Sequence, residues 1–192
     1  MPGKNLTRRE ALARSGHITV RSYAIDIDVR DALTSPTFRT ITKITFVSEG
    51  EKETFVDAIA SAVHSITLNG ESLNPEDVFA DSRISLTNLL ANNTLIVEAD
   101  FAYMNTGEGL HRFVDPVDNE VYLYSQFEVP DSRRVFAVFE QPDLKATFQF
   151  TVHAPGHWRV ISNQSAESSE ACEGGATWFF SPTPRISSYI TA

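Results

Sequence analysis

Several stretches of the chain alternate apolar and polar residues, which is the pattern of a half-buried β-strand. In YAIDIDVR the apolar positions are Tyr23, Ile25, Ile27 and Val29. In TLIVEADFAY they are Leu95, Val97, Ala99, Phe101 and Tyr103. In LKATFQFTVHAP they are Leu144, Ala146, Phe148, Phe150 and Val152. These alternations predict strands that pack one face against a core and leave the other face polar.

Other segments are rich in β-branched and aromatic residues and predict further strands. They are FRTITKITFVS, HSITLNGESL, EVYLYSQF, WRVIS, ATWFFS and RISSYITA. Asn69-Gly70 is a strong hairpin signal, and we expect the polar stretch NQSAESSEACEGG to form a flexible hairpin tip. Short strands joined by closely spaced turns indicate an antiparallel sandwich or a saddle-like sheet.

One short helix is predicted near the N-terminus. Thr7 and Glu10 have the spacing of a capping box, and Leu6 and Ala11 can form a hydrophobic staple. Gly16 suits a left-handed stop. The predicted fold is therefore all-β, a saddle-like antiparallel β-sandwich with one short N-terminal helix.

Composition narrows the classes of function. The chain has 192 residues, which suits one domain, and we predict a single domain over residues 1–192. A formal net charge of -9 disfavours a nucleic-acid partner. No apolar run approaches the roughly 20 residues that span a bilayer, so we predict no membrane insertion. The single cysteine, Cys172, fits a reducing, cytoplasmic location.

The C-terminal segment RISSYITA stops in mid-pattern, on a predicted strand that is ready to lead onward. This is more typical of an excised domain than of a native end. We therefore expect the 192 residues to be one part of a longer protein.

The common catalytic motifs are missing: there is no HExxH, no paired CxxC and no phosphate-binding glycine loop. His153 and His157 have HxxxH spacing, but Pro155 and Gly156 force a turn, which favours two exposed loop histidines over a metal site. Cys172 has acidic neighbours, which favours an inert surface thiol over a nucleophile. We predict no metal site and no catalytic residue in this chain.

The stretch QFEVPDSRRVFAVFEQPDLKATFQF places many charges among aromatic residues. Glu128 directly follows a predicted strand, and loops at strand ends often present side chains to ligands. A carboxylate there could hold a substrate ammonium through a charge-assisted hydrogen bond. Alternatively, Arg133 and Arg134 simply pair with Glu140 or Asp143 and hold the loop.

The same region, YSQFEVPDSRRVFAVFEQPDLKATFQFTVHAP, resembles the N-terminal domain of the aminopeptidase N family of zinc metallopeptidases, with an actinobacterial character. In that family the corresponding segment has approximately the sequence T-Q-F-E-x-x-x-A-R-x-x-F-P-C-F-D-E-P-x-x-K-A-x-F. The residues of this chain that match the family pattern are Gln126, Glu128, Arg133, Phe136, Phe139, Pro142, Lys145, Ala146 and Phe148. The departures are Ala137, Val138, Glu140 and Gln141, where the family has Pro, Cys, Asp and Glu.

The resemblance implies a substrate-anchoring domain that packs on a zinc-bearing catalytic domain, in an enzyme that removes N-terminal amino acids from peptides. The zinc ligands and the general base would lie in that other domain, so this chain alone would bind no zinc and be inactive. Glu128 would help bind the free α-amine of a peptide substrate, and Gln126 would line the pocket for the first side chain. Arg133, Glu140 and Lys145 would brace the loop.

The alternative is an independent β-sandwich module that binds carbohydrate or protein without catalysis. It predicts a groove lined by surface aromatics such as Trp158 and Trp178. A glycosidase that uses Glu128 with Asp131 or Glu140 is a third possibility, because two carboxylates suffice in principle. A domain separated from its enzyme should instead expose a large apolar patch.

Overall fold

The computed structural model describes residues 5–192, and within them the chain forms three sheets, two α-helices and two 3-10 turns. The helices are α1 (Arg8–His17) and α2 (Pro75–Val78), and the 3-10 turns are Ser132–Arg134 and Ser188–Ile190. The strands are β1 (Ile18–Asp28), β2 (Thr37–Ser48), β3 (Thr54–Asp57), β4 (Ala62–Leu68), β5 (Glu71–Leu73), β6 (Phe79–Ala80), β7 (Arg83–Leu86), β8 (Asn92–Ala102), β9 (Gly109–Val114), β10 (Val121–Gln126), β11 (Thr147–Ala154), β12 (Ala166–Cys172) and β13 (Gly175–Phe180). The prediction of an all-β fold with one short N-terminal helix is confirmed.

The largest sheet has eight strands in the order β12-β13-β11-β1-β2-β8-β4-β5. A second sheet has the order β3-β7-β6, and β9 and β10 form a separate hairpin. The pairings are antiparallel except between β1 and β11, which run in the same direction. This pair departs from the antiparallel expectation, and residues 29–146 form the long crossover connection that a parallel pair requires.

The core lies against one face of the eight-stranded sheet. The predicted alternations are confirmed, because their apolar positions are buried, as at Ile25, Val97 and Phe148, except for the half-buried Tyr103 and Val152. Tyr23 and Phe148, neighbours on β1 and β11, stack with ring centroids 4.6 Å apart. One continuous cluster of buried side chains includes residues from the large sheet, the three-stranded sheet and the segment that connects β10 to β11.

Helix α1 begins as its sequence predicts. The Thr7 hydroxyl accepts a hydrogen bond from the Glu10 backbone N–H at 3.2 Å, and the Glu10 carboxylate accepts one from the Thr7 N–H at 2.8 Å. The predicted stop at Gly16 is wrong, because the helix continues to His17. Ile18 is already extended and begins β1, so strand pairing ends the helix and no left-handed glycine is needed.

The hairpin predicted at Asn69-Gly70 is confirmed. Leu68 of β4 pairs with Glu71 of β5, and the two residues between them have φ values of 55° and 86°. Positive φ at both central positions is the requirement of the tight turn that matches strand twist.

Two of the short strands predicted near the C-terminus are wrong. WRVIS lies outside the strands, and RISSYITA makes one isolated bridge, from Ile186 to Ala146, before the last 3-10 turn. The stretch expected to be a flexible tip instead contains β12, which pairs with β13. Its side chains are exposed because β12 is an edge strand, where backbone pairing rather than apolar burial sets the conformation.

Candidate functional site

The β9–β10 hairpin carries Gln126 to the end of a strand. Along β10 the side chains alternate, so that Tyr122, Tyr124 and Gln126 are exposed while Val121 is buried. Tyr124 stacks on His111 of β9 with ring centroids 4.5 Å apart and is 51% exposed. Gln126 therefore lies at the end of an exposed, partly aromatic strand face.

Buried Phe127 fixes the point at which the chain leaves the hairpin. Its ring meets Phe136 edge-on, with centroids 5.9 Å apart, and Phe136 in turn contacts Phe150 of β11 at 6.1 Å. Because Phe127 points into the core, its neighbours Gln126 and Glu128 are exposed.

Glu128 combines an exposed side chain with a fixed backbone. Its N–H donates to the side-chain oxygen of Gln126. Among residues 5–192, no side chain or backbone group donates a hydrogen bond to the Glu128 carboxylate or forms an ion pair with it. The carboxylate is thus available to a cationic group from outside the described chain.

The segment between β10 and β11, residues 127–146, is held by a buried carboxylate. Glu140 is 3% exposed and accepts hydrogen bonds from the hydroxyls of Ser132 and Ser188 and from the Arg133 backbone N–H, each at about 2.8 Å. Burial raises the pKa of Glu140, and these hydrogen bonds oppose that rise. Glu140 thereby ties the 3-10 turn Ser132–Arg134 to both the following segment and the C-terminal residues.

The other two residues expected to brace this loop differ from one another. The Arg133 guanidinium donates to the Pro130 carbonyl at 2.9 Å and to the Asn5 side-chain oxygen at 3.3 Å. Lys145 is exposed, and its side chain forms no hydrogen bond or ion pair with residues 5–192. Its backbone carbonyl accepts a bond from Arg185 instead.

Arg134 does not pair with Glu140 or Asp143, contrary to the alternative prediction. Its guanidinium lies 2.6 Å from Asp131 and 3.0 Å from Glu108, so it joins the loop to the start of the hairpin. Gly109 of β9 lies directly against it, and a Cβ built there would be 2.8 Å from the Arg134 Cβ. Since Gly109 also has φ +61°, this close approach requires glycine.

A second buried polar cluster lies behind residues 138–141, and sequence reasoning missed it. Arg14 of α1 donates to the Gln141 side chain at 2.9 Å and to Asp57 at 3.3 Å. Arg83 Nε lies 3.6 Å from Asp57 and its guanidinium bonds Glu10 at 2.7 Å. Burial raises the pKa of Asp57 and lowers that of Arg14, while their mutual attraction opposes both changes.

The histidines do not assemble a metal site. His153 lies in β11 rather than in a loop, and its ring contacts Asp26 and Thr177, whereas His157 lies 3.5 Å from Glu120. In residues 5–192, no three His, Cys, Asp or Glu side chains come together in an arrangement that could hold a metal ion. The described residues therefore offer no ligand set for the zinc ion, whose ligands the resemblance places in a separate domain.

The two tryptophans of the binding-module alternative lie in different places. Trp158 lines an apolar cavity of about 480 Å³ between β10 and the large sheet. Trp178 borders a second depression, which adjoins the first at residues 159–162. The two rings thus border different depressions, and this arrangement gives no support to the binding-module alternative.

Comparison with known proteins relates the chain to one enzyme family. Residues 21–190 match the Peptidase M1 N-terminal domain. The chain is 58% identical to aminopeptidase N of Streptomyces lividans over 194 aligned residues, which cover 100% of this chain and 22% of that protein. Aminopeptidase N of Acetobacter pasteurianus is 33% identical over 52% of this chain and 29% of its own length. Aminopeptidase Ey of Gallus gallus is 35% identical over 38% of this chain and 8% of its own.

Proposed function

Because this chain belongs to the Peptidase M1 N-terminal domain family, we propose that it is the substrate-anchoring domain of a zinc-dependent aminopeptidase. Such an enzyme removes N-terminal amino acids from peptides, and its substrates carry a free α-amine. The observation that carries the proposal is the exposed Glu128 carboxylate, which has no partner among residues 5–192 although its backbone is fixed by Gln126.

An exopeptidase must measure one residue from the chain end, and a fixed carboxylate that meets an ammonium provides that measure. Glu128 would accept a charge-assisted hydrogen bond from the substrate α-amine. Gln126 would line the pocket for the first side chain, beside the amine site, since its own oxygen is bonded to the Glu128 N–H. Phe127 and Glu140 would keep the two residues in place, one through the core and the other through the loop.

The zinc ion and its ligands would belong to a catalytic domain outside these 192 residues, which together form one N-terminal domain. The chain spans 22% of the Streptomyces relative's length, which leaves room for such a domain in a protein of that size. The hairpin exposes apolar side chains that a second domain would cover, at Phe113, Val114, Tyr122 and Tyr124.

A cytoplasmic location is supported by the single cysteine, which cannot form an intramolecular disulfide.

Within residues 5–192, no helix has the length and apolar character needed to cross a bilayer.

The test is Glu128→Ala in the full-length enzyme. We expect kcat/KM on alanine p-nitroanilide to fall about 30- to 1,000-fold, or about 2–4 kcal/mol, because one charge-assisted contact to the substrate is lost. Zinc content should stay at the wild-type level. Glu170→Ala, which removes an exposed carboxylate on β12, is the matched control and should leave kcat/KM unchanged. An unaltered kcat/KM for Glu128→Ala would contradict the proposed role.

A second measurement separates the domain from the whole protein. Zinc content and aminopeptidase activity should be determined for the 192-residue chain beside the longer gene product. We expect a zinc-free, inactive chain and a zinc-bearing, active long form. Peptide cleavage by the 192-residue chain itself would contradict the proposed division of labour.

A further inference from the structure

Helix α1 lies outside residues 21–190, the part of the chain that matches the family domain. It nevertheless contributes a buried guanidinium: Arg14 is only 4% exposed. The Arg14 side chain lies over the ring of Phe55 at 4.7 Å and over that of Phe139 at 5.6 Å. Helix α1 is thus packed against the rest of the chain, because the Arg14 side chain enters the space behind the 127–146 loop.

Helix α1 forms hydrogen bonds with both the oxygen and the nitrogen of the Gln141 side-chain amide. Arg14 Nε donates to the Gln141 oxygen at 2.9 Å, and the Gln141 nitrogen donates to the Ala11 carbonyl at 3.0 Å. Arg14 also bonds Asp57, which itself accepts from the Glu140 N–H at 3.3 Å. Helix α1 therefore fixes the position of Gln141 directly and that of Glu140 through Asp57.

Hydrogen bonds of Glu140 connect the contacts made by α1 to the part of the loop that follows Glu128. Its carboxylate accepts from the Ser132 hydroxyl and the Arg133 N–H, and Arg133 donates onward to the Pro130 carbonyl. The contacts run without a gap from the helix to two residues beyond Glu128.

The chemistry of Arg14 indicates a geometric role. Taking a guanidinium out of water costs several kcal/mol, and well-packed apolar residues in place of buried ion pairs are often neutral or stabilising. A buried arginine is therefore weak evidence for stability alone. Its planar fork, in contrast, fixes the direction of each acceptor that it binds.

We propose that α1 is a positioning element for Glu128 and that Arg14 is the positioning residue through which it acts. This inference rests on the proposed role of Glu128 in binding the substrate amine. It adds a contribution from outside the matched family domain, made by a residue 114 positions earlier in the chain.

The experiment is a double-mutant cycle in the full-length enzyme with Arg14→Met, Glu128→Ala and the combined variant, assayed on alanine p-nitroanilide. We expect Arg14→Met to lower kcat/KM about 10- to 100-fold, since displacement of a binding group by about 1 Å can cost that much. Its division between kcat and KM should match that of Glu128→Ala. In the combined variant, the second substitution should cause little further loss, because both act on the same contact.

Ile66→Ala supplies a matched control, because Ile66 is fully buried on β4, near the far end of the large sheet. It should lower the melting temperature and leave kcat/KM unchanged. If Arg14→Met reduces expression of folded enzyme, Gln141→Met removes the same link from the loop side and takes its place in the cycle.

Three results would overturn the inference. In the first, Arg14→Met lowers the melting temperature but not kcat/KM. In the second, the losses of the two single variants multiply in the combined one. In the third, Glu128→Ala alone is silent, which also contradicts the proposed function, whereas the first two results leave that function standing.

Discussion

The eight-stranded sheet and the 127–146 loop both contribute buried side chains, but the interactions that hold them differ. In the sheet, apolar side chains such as Ile44, Leu95 and Phe148 fill the core from alternate positions. In the loop, apolar side chains such as Phe136 are also buried, but charged and polar residues lie beside them, and both Glu140 and Gln141 are 3% exposed. The sheet thus depends mainly on volume and shape, whereas the loop depends in addition on matching each buried donor to an acceptor. Substitutions that preserve volume but remove polarity should separate the two regions.

The largest effect is expected in the sheet, from Phe148→Ala. Phe148 is fully buried and stacks on Tyr23, so the substitution leaves a cavity and should lower the free energy of unfolding by about 3–5 kcal/mol. Phe148→Leu retains most of the volume and should lose clearly less. Urea denaturation followed by tryptophan fluorescence measures both. Equal losses for the two variants would contradict the view that volume dominates here.

In the loop, Glu140→Leu should be poorly tolerated although leucine is of similar size. It removes the acceptor for Ser132, Ser188 and the Arg133 N–H, and unsatisfied buried donors cost about 1–3 kcal/mol each. The hydroxyls can turn to other acceptors, so we expect a total loss of about 2–4 kcal/mol in urea denaturation. Glu140→Gln keeps one oxygen and should lose less. A neutral Glu140→Leu would show that the loop, like the sheet, is held by shape.

The same contrast explains what could be predicted from the sequence. The alternation in β1, β8 and β11 is local information, so their buried faces were predicted correctly. The edge strand β12 was not, because its conformation comes from pairing with β13 and its residues carry no apolar period.

For the candidate site, Gln126 and Glu128 were singled out by a contiguous motif, and their roles remain predictions. The cluster around Arg14 could not be found in this way. Its partners Asp57 and Gln141 lie 43 and 127 residues away in the sequence, and no local pattern marks a contact at such a distance. The ion pairs of Arg134 with Asp131 and Glu108 were missed because several acids lie within reach and only the folded backbone chooses among them.

The hydrogen bond between Tyr23 and Phe139, one of those that cross directly between the two regions, should have a smaller effect. The Tyr23 hydroxyl of β1 accepts from the Phe139 N–H at 3.1 Å. Tyr23→Phe keeps the ring stack but leaves that buried N–H without its acceptor, so we expect a loss of about 1–2 kcal/mol. Hydrogen exchange gives a sharper measurement: the Phe139 amide should exchange faster, while amides of β2 should keep their protection. Unchanged protection at Phe139 would mean that the bond contributes little.

The smallest effect, measured by pH, separates Glu10 of α1 from Glu140 of the loop. The hydrogen bond from Arg83, together with that from the Thr7 N–H, lowers the pKa of Glu10 from 4.5 to about 2. The folded state therefore releases this proton more readily than the unfolded state, and the stabilisation is present above about pH 5 and lost as pH falls towards 2.

Burial raises the pKa of Glu140, so its contribution has the opposite sign and declines as pH rises through its folded-state value. Melting temperatures between about pH 2 and 7 should thus show a shallower acid limb in Glu10→Gln. Because Glu140 titrates with the opposite sign, the acid limb of Glu140→Gln should be at least as steep as that of the wild type, and a shallower limb in that variant would contradict the assignment of the two signs.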